Sequence, residues 1–490
     1  MVALTFLGGT REVGRSALLL ESTKNKILLD YGVMLNDEPG FPAHVRASDI
    51  DGIVITHAHL DHSGHISFLK NSIPVFSTAT TAFIAKAIQD SGKSDFDQQV
   101  CYFNPAFLDC PAGWKQTAFL SGNVAKQQRQ FCIADMAPDD LSASAIQFWS
   151  SGFWEKTPRQ KELASCAMLS HTGCALNLRC FPVDHSIPGA CAWAIETSSG
   201  WVVYSGDLRL HGKRAALTRR FVDEAAGLRP RALVLEGTNV RRASNVAEHE
   251  VYENVLRAIA NSHGLVIADF PARDVDRLLT FLQIAKDTGK RLAILPKDAY
   301  LLKTMRLLDQ SVPDIAGEEN ITIYQDTVAS KNPSLWVRNL YREYENKTVL
   351  ASDVSSSQDQ FILCFSFFDL NELPSIRPRP GSLYLFSSSE PHDEEQEIDF
   401  RRLHNWLKHF ELTPLGLPTE KDGEWRIPDE ERGLHASGHA CGTDLLNIAR
   451  EINPGILIPV HSEQPSFYAE KLVSNNIRVI LPTLGKLIQL

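Results

Sequence analysis

The sequence predicts an α/β protein of more than one domain, on three observations. Its opening third is dense with short strands punctuated by glycine, which suits stacked sheets. Its middle alternates apolar strands with helices, the pattern of a parallel sheet covered by helices, and its tail adds one more strand–helix–strand set. A chain of 490 residues also exceeds what one hydrophobic core usually serves.

Residues 3–7, 16–21, 26–30 and 52–56 read as the first strands, the last running directly into His57. A helical pattern begins after Ser63, a strand follows at 74–77, and a helix at 80–90. Residues 91–179 are rich in Gln, Ser, Cys and aromatics with little period, and read as an insertion. Strands resume at 178–183, 191–197 and 201–205. The alternating region then gives strands at 232–236, 264–269 and 291–295, with helices at 247–262 and 274–288 between them. Residues 414–432, rich in Pro, Gly and charge, read as a linker, and the tail set falls at 435, 445–452 and 456–460. The expected division is 1–208, 209–432 and 433–490.

Composition narrows the class. Hydrophobic residues make up 43% and charged residues 22%, the profile of a soluble globular protein. No apolar run approaches the ~18 residues needed to cross a bilayer, and the N-terminus lacks a basic leader, so a cytoplasmic protein with no membrane partner is expected. Nine cysteines without a C-x-x-C pair argue against a disulfide framework; those between Cys101 and Cys180 read as buried thiols, with a structural zinc site the less favoured alternative. A net charge of −10 argues against nonspecific coating of nucleic acid but leaves room for a local basic groove. Arg209, Lys213, Arg214, Arg219, Arg220, Arg229, Arg231, Arg241 and Arg242 form such a concentration, or else a solvated helix face.

The strongest chemical signal is Thr56-His57-Ala58-His59-Leu60-Asp61-His62, directly after the apolar strand GIVIT. On a helix His57 and His59 would lie about 200° apart, whereas in an extended segment residues i and i+2 point the same way and can reach one metal ion. Asp61 and His62, where the chain turns into a helix, can address a second ion nearby. Three His and one Asp in six positions at the end of a buried strand make a purely structural role improbable.

This H-x-H-x-D-H pattern resembles the signature of the metallo-β-lactamase superfamily, and the resemblance extends along the chain. Asp30 in ILLDYG, His185 in PVDHSIPGA and Asp207 in VYSGDLRLHG look like its first, third and fourth motifs. Glu236 in LVLEGTN, His439 in HASGHA and His461 in ILIPVHSEQ resemble motifs A, B and C of the β-CASP branch, whose members act on nucleic acids. In that branch His at motif C goes with RNA processing. The stretch DFPARDVDRLLTFLQIAKDTGKRL is similar to the β-CASP domain of archaeal RNase J-type proteins. The resemblance implies a metallo-β-lactamase αββα sandwich, residues 1–208 and 433–490, with a β-CASP domain inserted at 209–432.

It also implies a site. His57, His59 and His185 would hold one ion, Asp61, His62 and His461 the other, with Asp207 spanning both. Two Zn2+ suit a histidine-rich set with carboxylates, Mn2+ being the alternative. Such a pair activates water and neutralises charge on a phosphate under attack. His439 would protonate the leaving 3′ oxygen, oriented by Glu236; Asp61 and Asp30 complete the catalytic set. The implied activity is a ribonuclease on single-stranded RNA, 5′→3′ from a 5′-monophosphate, leaving 5′-phosphate and 3′-hydroxyl ends. Ser387, Ser388, Ser389, Ser437 and Gly438 are candidates to cradle that phosphate, or else form plain turns. A homodimer is implied; decay partners are not. The alternatives are an endoribonuclease of the cleavage/polyadenylation-factor type, a small-molecule dinuclear metallohydrolase, and a processing subunit without metals.

Overall fold

The computed structural model describes residues 2–23, 25–34, 40–45, 50–69, 72–92, 100–103, 127–151, 167–171, 177–260, 262–271, 273–326, 333–388, 394–421, 423–473 and 477–490. The chain forms two compact units, Met1–Ser244 with Gly438–Leu490, and Asn245–Ser437.

The first unit is built on two sheets. The eight-stranded sheet runs in the order Leu487–Gln489, Ala3–Gly8, Ala17–Glu21, Lys26–Tyr31, Gly52–Val54, Val75–Ser77, Phe131–Ile133, Leu169–Ser170. The six-stranded sheet runs Leu178–Pro182, Cys191–Thr197, Gly200–Tyr204, Ala232–Glu236, Ile456–Val460, Arg478–Val479. Period-two alternation puts Leu4 and Phe6, Leu18 and Leu20, and Ile27 and Leu29 on one face of the first sheet, packed with Trp193, Ile195, Val202, Val234 and Ile458 of the second. Fully burying each such side chain contributes roughly 1.5–3 kcal/mol. The far face of the six-stranded sheet packs on the helices Ala215–Leu228 and Gly442–Ile452 through Phe221, Val222, Ala225, Leu445, Ile448 and Ile452. The unit is an α/β sandwich.

The second unit is a seven-stranded sheet in the order Thr348–Val349, Ile321–Tyr324, Arg291–Ile294, Phe361–Cys364, Val266–Asp269, Leu383–Phe386, Thr413–Leu415. Every pairing in it is parallel, so each connection is a crossover. Its core joins Ile267, Leu363 and Tyr384 to Val354, Leu373, Ile376, Leu403 and Leu407 from the intervening helices.

Four expectations move. The first unit extends to Ser244 rather than 208, because Ala232–Glu236 hydrogen-bonds in parallel between Gly200–Tyr204 and Ile456–Val460. The return to it comes at Gly438 rather than 433. The 414–432 stretch is no bare linker: Thr413–Leu415 edges the parallel sheet, and Thr419–Lys421 pairs antiparallel with Glu424–Arg426 around Gly423. The strand expected at His435 is absent, a 3-10 turn occupying Asp429–Leu434. Within 91–179, Phe131–Ile133 and Leu169–Ser170 join the first sheet. Cys110, Cys166 and Cys174 lie outside the described residues, and none of the six described cysteines stands in a metal-ligand cluster. No helix among the described residues is long and apolar enough to cross a membrane.

Candidate metal centre

The Gly52–Val54 strand is paired in parallel on both sides, and the chain then bends at Thr56 and Ala58 before an extended His59 leads into the short helix Leu60–Ser63. That backbone turns His57 and His59 to one side, placing His57 Nε2 3.0 Å from His59 Nδ1. His185, after the strand Leu178–Pro182, brings its Nε2 to 3.2 Å from the same His59 nitrogen. The far nitrogens are occupied: His57 Nδ1 lies 3.0 Å from Thr56 Oγ1, and His185 Nδ1 donates to the Gly438 carbonyl at 2.6 Å. A Cβ at Gly438 would stand 3.0 Å from the His185 ring, so glycine lets that carbonyl approach.

A second group forms beside the first. Gly206 has φ +55, and a Cβ there would lie 2.7 Å from Thr56; this close approach carries Asp207 to the histidines. Asp207 Oδ2 is 3.1 Å from His62 Nε2, 3.7 Å from His57 Nε2 and 3.9 Å from His461 Nε2. His461 follows the Ile456–Val460 strand at φ +49, a conformation held by its N–H donating to the Gly9 carbonyl at 2.7 Å. Asp61, a third exposed, stands 3.6 Å from His461 Nε2 and 3.7 Å from His62 Nε2. His57, His59 and His185 converge as one set of ligand atoms, and Asp61, His62, Asp207 and His461 as another, each within 4.8 Å.

Asp30 stands behind both sets. At φ +52 it accepts from the Thr56 N–H, from Thr56 Oγ1 and from the Tyr204 hydroxyl, each at 2.8 Å, and from His62 Nδ1 at the same distance. Its carboxylate orients His62 so that Nε2 faces Asp207.

Electrostatics follow from this crowding. Burial, reinforced by neighbouring imidazoles, holds His57 and His185 well below the ordinary histidine value, so both are neutral with lone pairs available. Burial also opposes charge on His62, but Asp207, Asp61 and Asp30 outweigh it and raise its pKa well above normal. Burial would raise Asp207, yet His62, His461 and His439 hold it well below the carboxylate range. Within these two sets, Asp207 Oδ1 and His461 Nε2 are buried without a hydrogen-bond partner. A buried carboxylate oxygen and a buried imidazole nitrogen left unmatched are costly, and a cation is one partner that would relieve them. Two ligands each about 2.0–2.1 Å from a tetrahedral zinc lie roughly 3.3 Å apart, close to the His57–His59–His185 spacing. The donor set fits divalent metal ions.

Beside this, His439 Nδ1 lies 3.1 and 3.2 Å from the two Glu236 carboxylate oxygens. Glu236 is itself fixed by the Leu208 N–H at 2.9 Å and the Thr238 N–H at 3.2 Å. Burial opposes charge on His439, but Glu236 and then Asp207 raise its pKa to about 9. His185, Asp207 and His439 also converge as a third set of ligand-type atoms.

The phosphate candidates divide. Ser387 is buried, its hydroxyl donating to the Leu434 carbonyl and receiving the Arg277 guanidinium, so it is committed within its own unit. The Ser388 carbonyl accepts from His435 Nδ1 at 2.6 Å, and Ser388 and Ser437 are half-buried. Ser389 lies outside the described residues. Arg209 is not part of any basic surface: it is buried and donates to Asp184 at 3.2 Å, while Arg214 donates to the His185 carbonyl at 2.9 Å. Both arginines brace the loop that carries His185. Arg219 and Arg220 are exposed on the Ala215–Leu228 helix. Sequence reasoning gave no role to Ser16, Thr56, Tyr204 or Asp184; each is a single common polar residue, marked only by its contacts, which for Asp184 are with Arg209 and the Arg214 N–H.

Residues 10–75 match the metallo-beta-lactamase superfamily, spanning Asp30 and the His57–His62 loop, and residues 431–482 match the Zn-dependent metallo-hydrolase RNA specificity domain, spanning His439 and His461. The chain is 23% identical over 483 residues to ribonuclease J of Mycolicibacterium smegmatis, covering 94% of this chain and 68% of that protein. It is 38% identical over 104 residues, 18% of this chain and 16% of the relative, to transcription termination factor FttA of Pyrococcus horikoshii. A crystal structure of a protein of unknown function from Enterococcus faecalis V583 shares the fold, with TM-score 0.64 and 18% identity over 100% of both chains.

Proposed function

We propose, from its likeness to the RNase J-type metallo-β-lactamase/β-CASP ribonucleases, that this chain is a metal-dependent ribonuclease hydrolysing phosphodiester bonds of single-stranded RNA. The observation that carries this reading is the convergence of seven ligand-type side chains, His57, His59, Asp61, His62, His185, Asp207 and His461, next to the Glu236–His439 pair. A small-molecule hydrolase would explain the seven but neither that pair nor the match to an RNA specificity domain.

In this reading His57, His59 and His185 would hold one ion and Asp61, His62 and His461 a second, with Asp207 available to both; Zn2+ suits the set and Mn2+ is the alternative. Bound there, the ions would supply a water acidic enough to attack at neutral pH and positive charge to offset that of the phosphorus centre. Asp30 and Thr56 keep His62 and His57 in the tautomers that present Nε2. His439, kept protonated at neutral pH by Glu236, donates its proton to the departing 3′ oxygen. The products are a 5′-phosphate and a 3′-hydroxyl.

The preferred direction is 5′→3′ from a 5′-monophosphate, with Ser388 and Ser437 as the hydroxyls to contact it. The test is one labelled RNA carrying a 5′-monophosphate, 5′-hydroxyl or 5′-triphosphate, incubated with and without chelator. Mononucleotide release that favours the monophosphate and stops with chelator is expected. Internal fragments appearing first, whatever the 5′ end, would mean an endonuclease, and full activity in chelator would remove the metal reading.

A further inference from the structure

We propose that Ser16 is a positioning residue for His461: its hydroxyl oxygen accepts a hydrogen bond from Nδ1–H of His461, so that Nε2 presents its lone pair towards Asp61 and Asp207. The inference rests on the reading that these three side chains share a cation.

Ser16 is buried and ties together two segments remote in sequence. Its N–H donates to the Asp61 carbonyl at 2.8 Å, and its carbonyl accepts from the Gly32 N–H at 2.9 Å. These bonds fix the backbone of Ser16 against the His57–His62 loop. Its Oγ then stands 2.8 Å from His461 Nδ1. One residue thereby sets the spacing between Asp61 and His461.

The tautomer follows from what surrounds the other ring nitrogen. Were Nδ1 the acceptor, Nε2 would carry the hydrogen in neutral imidazole. That N–H would be buried, with Asp61 Oδ2 at 3.6 Å and Asp207 Oδ2 at 3.9 Å, both beyond a hydrogen bond. A buried donor without a partner is destabilising. With Nδ1–H donating to Ser16 the bare nitrogen instead faces two carboxylates, which is a ligand arrangement. The Gly14 N–H also points at Nδ1, at 3.4 Å, and would favour the opposite tautomer, but the Ser16 contact is the shorter. A serine oxygen has the lone pairs to accept.

The test compares wild type, Ser16→Ala and Ser16→Thr by Zn2+ titration against a chromophoric chelator, and by nitrogen-15 NMR of the His461 ring in zinc-loaded protein. Ser16→Ala should weaken one of the two zinc sites about 10–100-fold, and Ser16→Thr, which keeps the hydroxyl, should restore it. The wild-type spectrum should show the proton on Nδ1. Unchanged zinc affinity in Ser16→Ala overturns the proposal, as does equal loss in both variants, which would mean packing alone, or a proton on Nε2. If Ser16→Ala fails to fold by circular dichroism, Ser16→Thr and the wild-type spectrum decide. Wild-type protein that binds no zinc removes the metal reading itself, and this inference with it.

Discussion

Asp30 Oδ2 lies 2.8 Å from His62 Nδ1, and the same oxygen accepts from Thr56 Oγ1 and from the Tyr204 hydroxyl. Three donors meeting on one buried oxygen make Asp30 the support on which the ligand loop rests. Asp30→Asn keeps the size of the side chain and, because asparagine accepts left-handed backbone, its φ of +52. It replaces one acceptor with a donor facing those groups. Zinc affinity should fall about 10–100-fold and stability by roughly 1–3 kcal/mol. Equilibrium dialysis and thermal melts would check both, and full retention of zinc would show that His62 needs no such partner.

His439 separates two roles by one substitution. As a proton donor, His439→Ala should slow RNA cleavage about 10²–10⁴-fold with metal content unchanged. Glu236→Gln should act in the same direction, since it removes the charge that raises the His439 pKa to about 9. Metal analysis of purified His439→Ala is the decisive measurement. Because His439 also converges with His185 and Asp207, loss of an ion in that variant would make it a ligand instead.

Metal binding should be visible without any substrate. Asp207 Oδ1 and His461 Nε2 are buried without a hydrogen-bond partner; if cations bind beside them, free Zn2+ at about 100 times its dissociation constant should stabilise the protein by about 2.7 kcal/mol per site. Melting temperature should climb with zinc concentration and return to its starting value on chelation. A melting curve indifferent to both would count against the site.

What the sequence made legible was whatever concentrates ligand chemistry in a short span. Three His and one Asp between His57 and His62 stand out without any structure, and His57 and His59 do meet on one side, though the chain bends at Thr56 and Ala58 rather than running straight. The supports could not be read: Thr56, Ser16 and Tyr204 are ordinary polar residues whose partners lie up to 445 positions away. The unit boundary was missed for a related reason. An apolar strand preceded by a helix reads alike whichever parallel sheet receives it, and only the pairing of Ala232–Glu236 with Ile456–Val460 assigns it to the first unit. Likewise Arg209 looks like part of a basic surface until its burial against Asp184 is known.

The second unit carries its own pH dependence. Asp269, at the end of the Val266–Asp269 strand, and Asp298, in the first turn of the Pro296–Arg306 helix, are both buried. Burial raises each to about 7; the Tyr384 hydroxyl draws Asp269 partly back, the Leu295 N–H does so for Asp298, and Asp369 pushes both up. Between the unfolded value near pH 4 and the folded value near pH 7, the folded chain holds protons that the unfolded chain has released. Stability therefore falls as pH rises through that window, and the loss is complete above it. Asp269→Asn has no proton to lose. Its stability relative to wild type should grow from pH 4 to pH 7 by at most on the order of 4 kcal/mol, the equivalent of about three pKa units, and then level off. Denaturant melts of the two proteins across that range give the comparison. Parallel curves would mean that Asp269 ionises in the folded protein as readily as in the unfolded chain.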